Sequence, residues 1–228
     1  MPSPAVEDYL KTIYMLSREE DRASTSSIAD RLQIAAGSVT GMLKRLSEQG
    51  LVEHVPYYGA SLTSEGEQEA LRLIRRHRIL ELFLSEVLGY TWDRVHAEAE
   101  RLEHAASDEL IERMAQVLGQ PDRDPHGAPI PGVGRTFEEP QYSTLAELEI
   151  GRAAVLRRVS DEDPAVLRYL GTLGVAPGVE VEVLERAPFR GPLRVRIAGK
   201  QEFLGPELAG SLRVEPLDHA RGEGGDDA

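Results

Sequence analysis

Residues 26–66, SSIADRLQIAAGSVTGMLKRLSEQGLVEHVPYYGASLTSEG, decide how the first third of the chain folds. Ile28, Ala29 and Leu32 recur at helical spacing, and Thr25 or Ser26 can cap that helix. A short turn, Ile34–Ala35–Ala36–Gly37, leads into a second helical run. There Val39, Met42, Leu43 and Leu46 make an apolar stripe, and Gly50 supplies the glycine that ends it. The apolar period then changes to alternation. Leu51–Val52 opens a strand, Tyr58–Gly59 turns it, a second strand follows, and Thr63 or Ser64 caps the next helix with Glu67 in capping-box register. Upstream, residues 5–18 carry one more helical pattern in Tyr9, Leu10, Ile13, Tyr14 and Leu16. Helix, helix–turn–helix, then an immediate two-stranded ribbon is the order of a winged helix-turn-helix domain. A three-helix bundle with an unrelated hairpin is the alternative reading of the same pattern.

Working outward, residues 64–88 predict a long helix and residues 91–118 one or two more. Leu73, Ile74, Ile79, Leu80, Leu82, Phe83 and Leu84 form an apolar surface wide enough for internal packing and for a partner helix, so a homodimer is expected. Two-fold symmetry would then present two recognition helices to two half-sites of double-stranded DNA. Residues 119–143 are rich in Pro and Gly, hold no regular element for long and mark a boundary. Beyond it, EIGRAAVLRRVS, GVEVEVLERAP, PLRVRIA and SLRVEPL alternate like strands, with one short helix, DPAVLRYLGTLG, between the first two. That pattern predicts a small β-barrel. The tail, residues 218–228, is polar and Gly-rich and reads as disordered. The fold class expected is mainly α with a small β-barrel, divided at 1–72, 73–143, 144–217 and the tail.

Composition narrows the chemistry. The chain has 228 residues and no cysteine, which removes disulfides, thiolate metal sites and cysteine nucleophiles. No run of apolar residues is long enough for a membrane span and the N-terminus does not read as a signal peptide, so the cytoplasm is expected. A net charge of −13 argues by itself against a nucleic-acid partner. The excess is spread along the chain, however, which leaves room for a local basic helix.

The most informative cluster is His96-Ala-Glu-Ala-Glu100-Arg-Leu-Glu103-His104. On a helix, positions 96, 100, 103 and 104 share one face, and His77 and Glu81 stand one turn apart on the preceding helix. Carboxylates with imidazole and no thiolate suit Mn²⁺ or Fe²⁺, and tolerate other divalent metals such as Zn²⁺ or Co²⁺. The competing reading is a solvated helix face with ordinary charge pairs. There is no HExxH, and no nucleophile stands beside a plausible base, so an enzyme is not expected.

The stretches EDYLKTIYML, SSIADRL with SVTGMLKRLSEQGLV, LTSEG, RRHRILELFL, VHAEAERLEHAASDELIERM and DPHGAPIP together resemble the DtxR/MntR family of metal-dependent transcriptional repressors over residues ~5–217. The resemblance implies a winged helix-turn-helix, a helical metal-binding and dimerisation domain, and a C-terminal SH3-like domain of the FeoA type. It carries a primary metal site onto Asp8, Glu100, Glu103 and His104, with His77 taking part in the manganese branch. Where the iron-responsive branch has cysteine and methionine, this chain has Glu100 and Asp8, as manganese-responsive members do. Small manganese regulators carry Glu at the position of Lys11, and an ammonium there would repel a second cation. The resemblance carries a second site onto His77, Glu81 and His96, completed by Asp163, with its neighbours Asp161 and Glu162 as rivals for that position, while Val166 stands where another ligand is expected.

DNA contacts are expected at Ala35, Gly37, Ser38, Thr40 and Lys44, with Tyr57 at the wing tip. The family's glutamine is replaced by Gly41, so base reading would rest on few contacts. The function implied is a manganese- or iron-dependent DNA-binding regulator, most simply a repressor of metal-uptake genes. The alternatives are an iron-selective regulator of the same fold and a winged-helix regulator that senses a non-metal ligand.

Overall fold

The computed structural model describes residues 2–18, 21–133, 137–159 and 163–217. The chain divides into two compact units. One comprises Met1–Phe83, Glu98–Asp122 and Ile130–Glu138; the other comprises Leu84–Ala97, Arg123–Pro129 and Glu139–Ala228.

The first unit opens with α1 (Pro4–Leu16), α2 (Thr25–Leu32), α3 (Ala36–Glu48) and an antiparallel ribbon, β1 (Val52–Val55) with β2 (Gly59–Leu62). Leu10, Ile13, Ile28, Val39, Leu43 and Leu46 are fully buried and weld the three helices together. The helices differ in detail from their expected ends. Ser24, rather than Thr25 or Ser26, caps α2, its hydroxyl accepting the Ser27 N–H at 3.0 Å. Gln33 takes the left-handed conformation that closes α2, so the chain has already reversed before Ala36. Ala36 and Gly37, expected in the turn, are therefore the first residues of α3. Ahead of α2, Ala23 exchanges two backbone hydrogen bonds with Ala60, which ties this loop to the ribbon.

The ribbon hands over to α4 (Ser64–Glu86) through Thr63. The Thr63 hydroxyl donates to the Gly50 carbonyl at 2.7 Å and accepts the Gly66 N–H at 3.1 Å. Gly66 sits so close to the strand entry that a Cβ there would lie 1.9 Å from the Leu51 carbonyl oxygen. The apolar face expected to offer itself to a partner is taken up within the chain: Leu73, Ile74, Ile79, Leu80 and Leu84 are buried, and Leu82 and Phe83 are half-buried. The stretch read as one or two helices is two, α5 (Val95–Glu103) and α6 (Asp108–Val117), the second capped by Ser107.

The second unit is a six-stranded antiparallel sheet built from β3 (Ser143–Thr144), β4 (Ala153–Val159), β5 (Glu180–Arg186), β6 (Leu193–Ile197), β7 (Lys200–Leu204) and β8 (Leu212–Pro216). The strand order is β3-β8-β4-β5-β6-β7. Helix α7 (Pro164–Thr172) links β4 to β5, and α8 (Pro206–Ser211) links β7 to β8. The expected barrel is thus corrected to an open sheet: no ladder among the described residues joins the edge strands β3 and β7. Strand β7 escapes the sequence reading because it is polar, with Leu204 its one buried residue. It is nonetheless set by a tight Ala198–Gly199 turn with both residues at positive φ, the geometry of a two-residue hairpin.

The Pro/Gly-rich stretch has no long element, as expected, but it is firmly built. Within the second unit the Asp124 carboxylate accepts the N–H groups of His126 and Ala128, both at 2.9 Å. Buried His126 stacks on Trp92 and donates Nε2–H to the Trp92 carbonyl at 2.8 Å. The tail expected to be disordered lies outside the described residues, as do Asp161 and Glu162. No helix among the described residues is long and apolar enough to cross a membrane.

Gly66→Ala should destabilise the protein by about 1–3 kcal/mol, because the new methyl has backbone rather than a movable side chain in its way. Chemical denaturation read by circular dichroism checks this; an unchanged midpoint would mean the helix–ribbon junction has slack that the structure does not show.

Candidate metal centre

Helix α1 brings Glu7, Asp8 and Lys11 to one face, because positions three and four apart stack. Opposite them, α4 supplies Arg76, His77 and Glu81, and the end of α5 supplies Glu100 and Glu103. His104, expected on the helix face, falls in the turn just after α5. All these residues belong to the first unit.

Three ligand-type atoms converge. His104 Nε2 lies 3.2 Å from Asp8 Oδ1 and 3.9 Å from Glu103 Oε1. The other nitrogen, Nδ1, lies 2.7 Å from Glu7 Oε2, and Glu7 is itself buried and 3.6 Å from the Arg76 guanidinium. A proton on Nδ1 donated to Glu7 leaves the Nε2 lone pair facing two carboxylate oxygens. Three acceptors meeting in this way repel one another unless a cation or a second proton lies between them. The donor chemistry of Asp8, Glu103 and His104 therefore fits a hard or borderline divalent metal.

Around this triangle the charges are dense. Lys11 Nζ donates to Glu100 Oε1 at 2.6 Å and to Glu103 Oε1 at 2.8 Å. His77 faces a carboxylate with each ring nitrogen: Nδ1 to Glu103 Oε2 at 2.6 Å and Nε2 to Glu81 Oε1 at 3.0 Å. Two acceptors demand two donors, so His77 is an imidazolium here. Burial alone would discharge it, but the charge of Glu81 and the hydrogen bonds to Glu103 and Glu81 outweigh burial and lift its pKa to about 10. Glu103 is the mirror case. Burial pushes it up, and the His77 hydrogen bond with the Lys11 and His77 charges pulls it down to about 2. Lys11 likewise stays charged: burial draws its pKa down, and Glu103 and Glu100 raise it further. Asp8 is raised by burial, against the pull of His104 and Lys11. Glu7, Asp8, Glu81, Glu100 and Glu103 face three cations, Lys11, Arg76 and His77.

Arg76 holds the frame. It is almost fully buried, donates to the Glu103 carbonyl at 3.1 Å and to Asp108 Oδ1 at 3.0 Å, and so fixes the end of α5 against the start of α6. Arg76 and Glu7 are the residues that sequence reasoning missed. The available signal was the adjacency of Glu7 to Asp8 and its position one turn before Lys11. His96 lies one turn before Glu100 on α5, in the part of that helix assigned to the second unit. Asp163, also in the second unit, is the N-cap of α7, its carboxylate accepting the Ala165 N–H at 2.7 Å. Val166 packs against the apolar core of that unit.

Among the expected DNA contacts, Ala35, Gly37, Ser38, Thr40 and Lys44 are all exposed along α3, beside Gly41 and Arg45. The Thr40 hydroxyl donates to the Ala36 carbonyl at 3.2 Å, which leaves its methyl and an oxygen lone pair outward. Tyr57 stands fully exposed at the ribbon tip with φ of 69°, next to exposed Tyr58.

Three family models match in chain order. They are the iron dependent repressor N-terminal DNA binding domain over residues 1–60, the iron dependent repressor metal binding and dimerisation domain over 63–132, and the FeoA domain over 143–216. The chain is 32% identical over 222 residues to the diphtheria toxin repressor of Corynebacterium glutamicum, an alignment covering 93% of this chain and 96% of that protein. It is 33% identical over 224 residues to the iron-dependent repressor IdeR of Mycobacterium leprae, covering 92% and 96%. Among solved structures it superposes on a manganese-dependent transcriptional repressor in complex with manganese with a TM-score of 0.87. The identity there is 40%, and 93% of this chain and all of that one are covered.

In the metal-free protein, nitrogen NMR should find the His77 ring doubly protonated at pH 8. Because its folded pKa is raised from 6.5 to about 10, its stabilisation is complete below pH 6.5 and is lost as pH rises through about 10. Glu103 runs the other way: its stabilisation is present above pH 4.5 and is lost as pH falls through about 2. A neutral His77 ring at pH 7 would contradict the pairing with Glu81 and Glu103.

Proposed function

The chain belongs to the iron-dependent repressor family, and on that premise we propose a DNA-binding transcriptional regulator governed by Mn²⁺ or Fe²⁺, with Asp8, Glu100, Glu103 and His104 as its metal ligands. Members of this family are regulators rather than enzymes, and nothing in the reading calls for a reaction. One observation carries it: Asp8 on α1 meets Glu103 and His104 at the end of α5, with three acceptor atoms turned toward one point. A bound divalent ion would supply positive charge where these acceptors repel.

The chain's own residues do the rest. Asp8 belongs to the helix against which α2 and α3 pack through Leu10 and Ile13, so fixing Asp8 fixes the seat of the recognition helix. Glu7 holds the His104 ring with Nε2 toward the site, and Arg76 anchors the α5 end that carries Glu103. Metal binding and DNA binding then share a coupling free energy, and each strengthens the other. The donor set of carboxylates and imidazole, in a chain without cysteine, favours Mn²⁺ over Fe²⁺. The likeness to a manganese-bound repressor supports the same preference. His77 orients Glu103 in this site. A homodimer is supported by exposed Leu110 and Val117 on α6 and by Leu102 at the end of α5, rather than by the α4 residues first expected. Repression of metal-uptake genes is the expected outcome in a cytoplasmic setting.

Calorimetric titration with Mn²⁺ and with anaerobic Fe²⁺, alongside a DNA-binding assay on the protein's own promoter, tests the reading. Tight metal binding and metal-dependent DNA binding are expected, both abolished in the Glu103→Ala, His104→Ala double variant. DNA binding indifferent to metal and to the double variant would sink it. For the interface, Lys44→Ala should weaken binding about equally on all sequences and reduce the salt slope by about one, as loss of a phosphate contact does. A change in sequence preference at constant salt slope would instead make Lys44 a base reader.

A further inference from the structure

The sheet unit carries a cavity of about 420 Å³ that the metal-dependent reading does not use. Leu193 of β6 and Ala209 of α8, both buried, form its floor. Ala146, in the 3-10 turn Leu145–Glu147, and Pro206 at the start of α8 form one wall. The loop from Arg186 to Gly191, between β5 and β6, forms the other. Two backbone bonds close this loop: the Ala187 N–H donates to the Pro192 carbonyl at 3.1 Å, and the Gly191 N–H to the Pro188 carbonyl at 3.0 Å. Phe189 and Arg190 stand at the centre of that turn, both at φ of 57°. Positive φ at two successive positions is the pattern of a type I′ turn, which favours Asn-Gly because larger side chains are strained there. Neither side chain is buried, so packing does not explain their presence on a strained turn. Backbone strain of this kind collects at ligand-binding sites.

We propose that this cavity and its strained turn are a docking site for an acidic peptide segment of a partner protein. One apolar side chain of the segment would fill the cavity, and its carboxylates would meet Arg186 and Arg190. Charge complementarity selects this occupant. Residues 186–192, RAPFRGP, carry two cations and no acid, in a chain of net charge −13. Arg186 is held in place by donating to the Leu148 carbonyl at 3.1 Å. Arg190 has no hydrogen-bond or ion-pair partner among the described residues. A guanidinium is a planar fork that matches a carboxylate, and it is desolvated more easily than an ammonium. The cavity itself is lined almost wholly by apolar groups, so it would seat a hydrocarbon side chain and nothing charged. Exposed Phe189 beside it supplies a rigid aromatic cover, and aromatic residues with arginine are what the centres of protein interfaces favour. Proline-rich segments dock in grooves lined with aromatic rings, and here Phe189 is the one aromatic residue of the lining.

The test selects random displayed peptides on the full-length protein and measures the selected peptide by fluorescence polarisation. Enrichment of Asp and Glu around a Leu, Ile or Phe is expected, with an affinity that falls as salt rises. Arg190→Glu should weaken that peptide about tenfold. The double variant Phe189→Asn, Arg190→Gly installs the residues that the turn prefers. It should melt no lower than the wild type and yet lose the peptide, a combination that a purely structural role for the loop would not give. No enrichment, enrichment of neutral or proline-rich peptides, or equal binding by the double variant would overturn the proposal. So would self-association of the wild type in sedimentation that the double variant lacks, because a second copy would then be the occupant.

Discussion

The Glu103 carboxylate is nearly withdrawn from water and holds two cationic partners at hydrogen-bond distance, Lys11 from α1 and His77 from α4, with the His104 ring close by. An isolated charge buried in this way would cost several kcal/mol, and removing one partner of such a pair typically costs about 3–5 kcal/mol. The fold therefore depends on keeping α1 and α4 against the end of α5. The same constraint makes the site responsive. Every group that stabilises Glu103 comes from an element whose position matters downstream, and α1 is the element on which the two helices of the DNA-reading motif are packed. Arg76 reinforces this arrangement from below by holding the backbone at the α5 terminus and the Asp108 carboxylate at the start of α6.

This arrangement also resolves the conflict between a net charge of −13 and a nucleic-acid partner. Part of the acid excess is confined to the cluster where α1, α4 and α5 meet, and there it is met by Lys11, Arg76 and His77. The exposed side of α3 carries Lys44 and Arg45 with no carboxylate between Ala35 and Leu46, so the surface offered to phosphates is locally basic although the chain is acidic.

Much of the helical half was legible in the sequence because its signals are local. The apolar stripe of Val39, Leu43 and Leu46, the glycine at 50 and the Thr63 cap each act within a few residues of themselves. The ends of α2 and α3 were displaced because Gln33 takes a left-handed conformation that no side-chain rule marks. The C-terminal sheet was read less well. Strand β7 carries one buried residue, Leu204, so it has no alternating pattern to see, and closure into a barrel could not be told from an open sheet by strand patterns alone. In the cluster, helical spacing and family resemblance brought out the carboxylates and imidazoles. Glu7, Arg76 and the bridging geometry of Lys11 stayed hidden because each depends on contacts across 69 or more residues of sequence or on burial.

The claim on which the account turns is that α1 and the end of α5 are joined through one ion. Crystals of the protein grown with Mn²⁺, measured above and below the manganese absorption edge, test it most directly. The account predicts an anomalous peak bounded by Asp8 Oδ1, Glu103 Oε1 and His104 Nε2, with Glu7 still holding His104 Nδ1. A peak elsewhere with this triangle vacant, or His104 swung away to another partner, would contradict it.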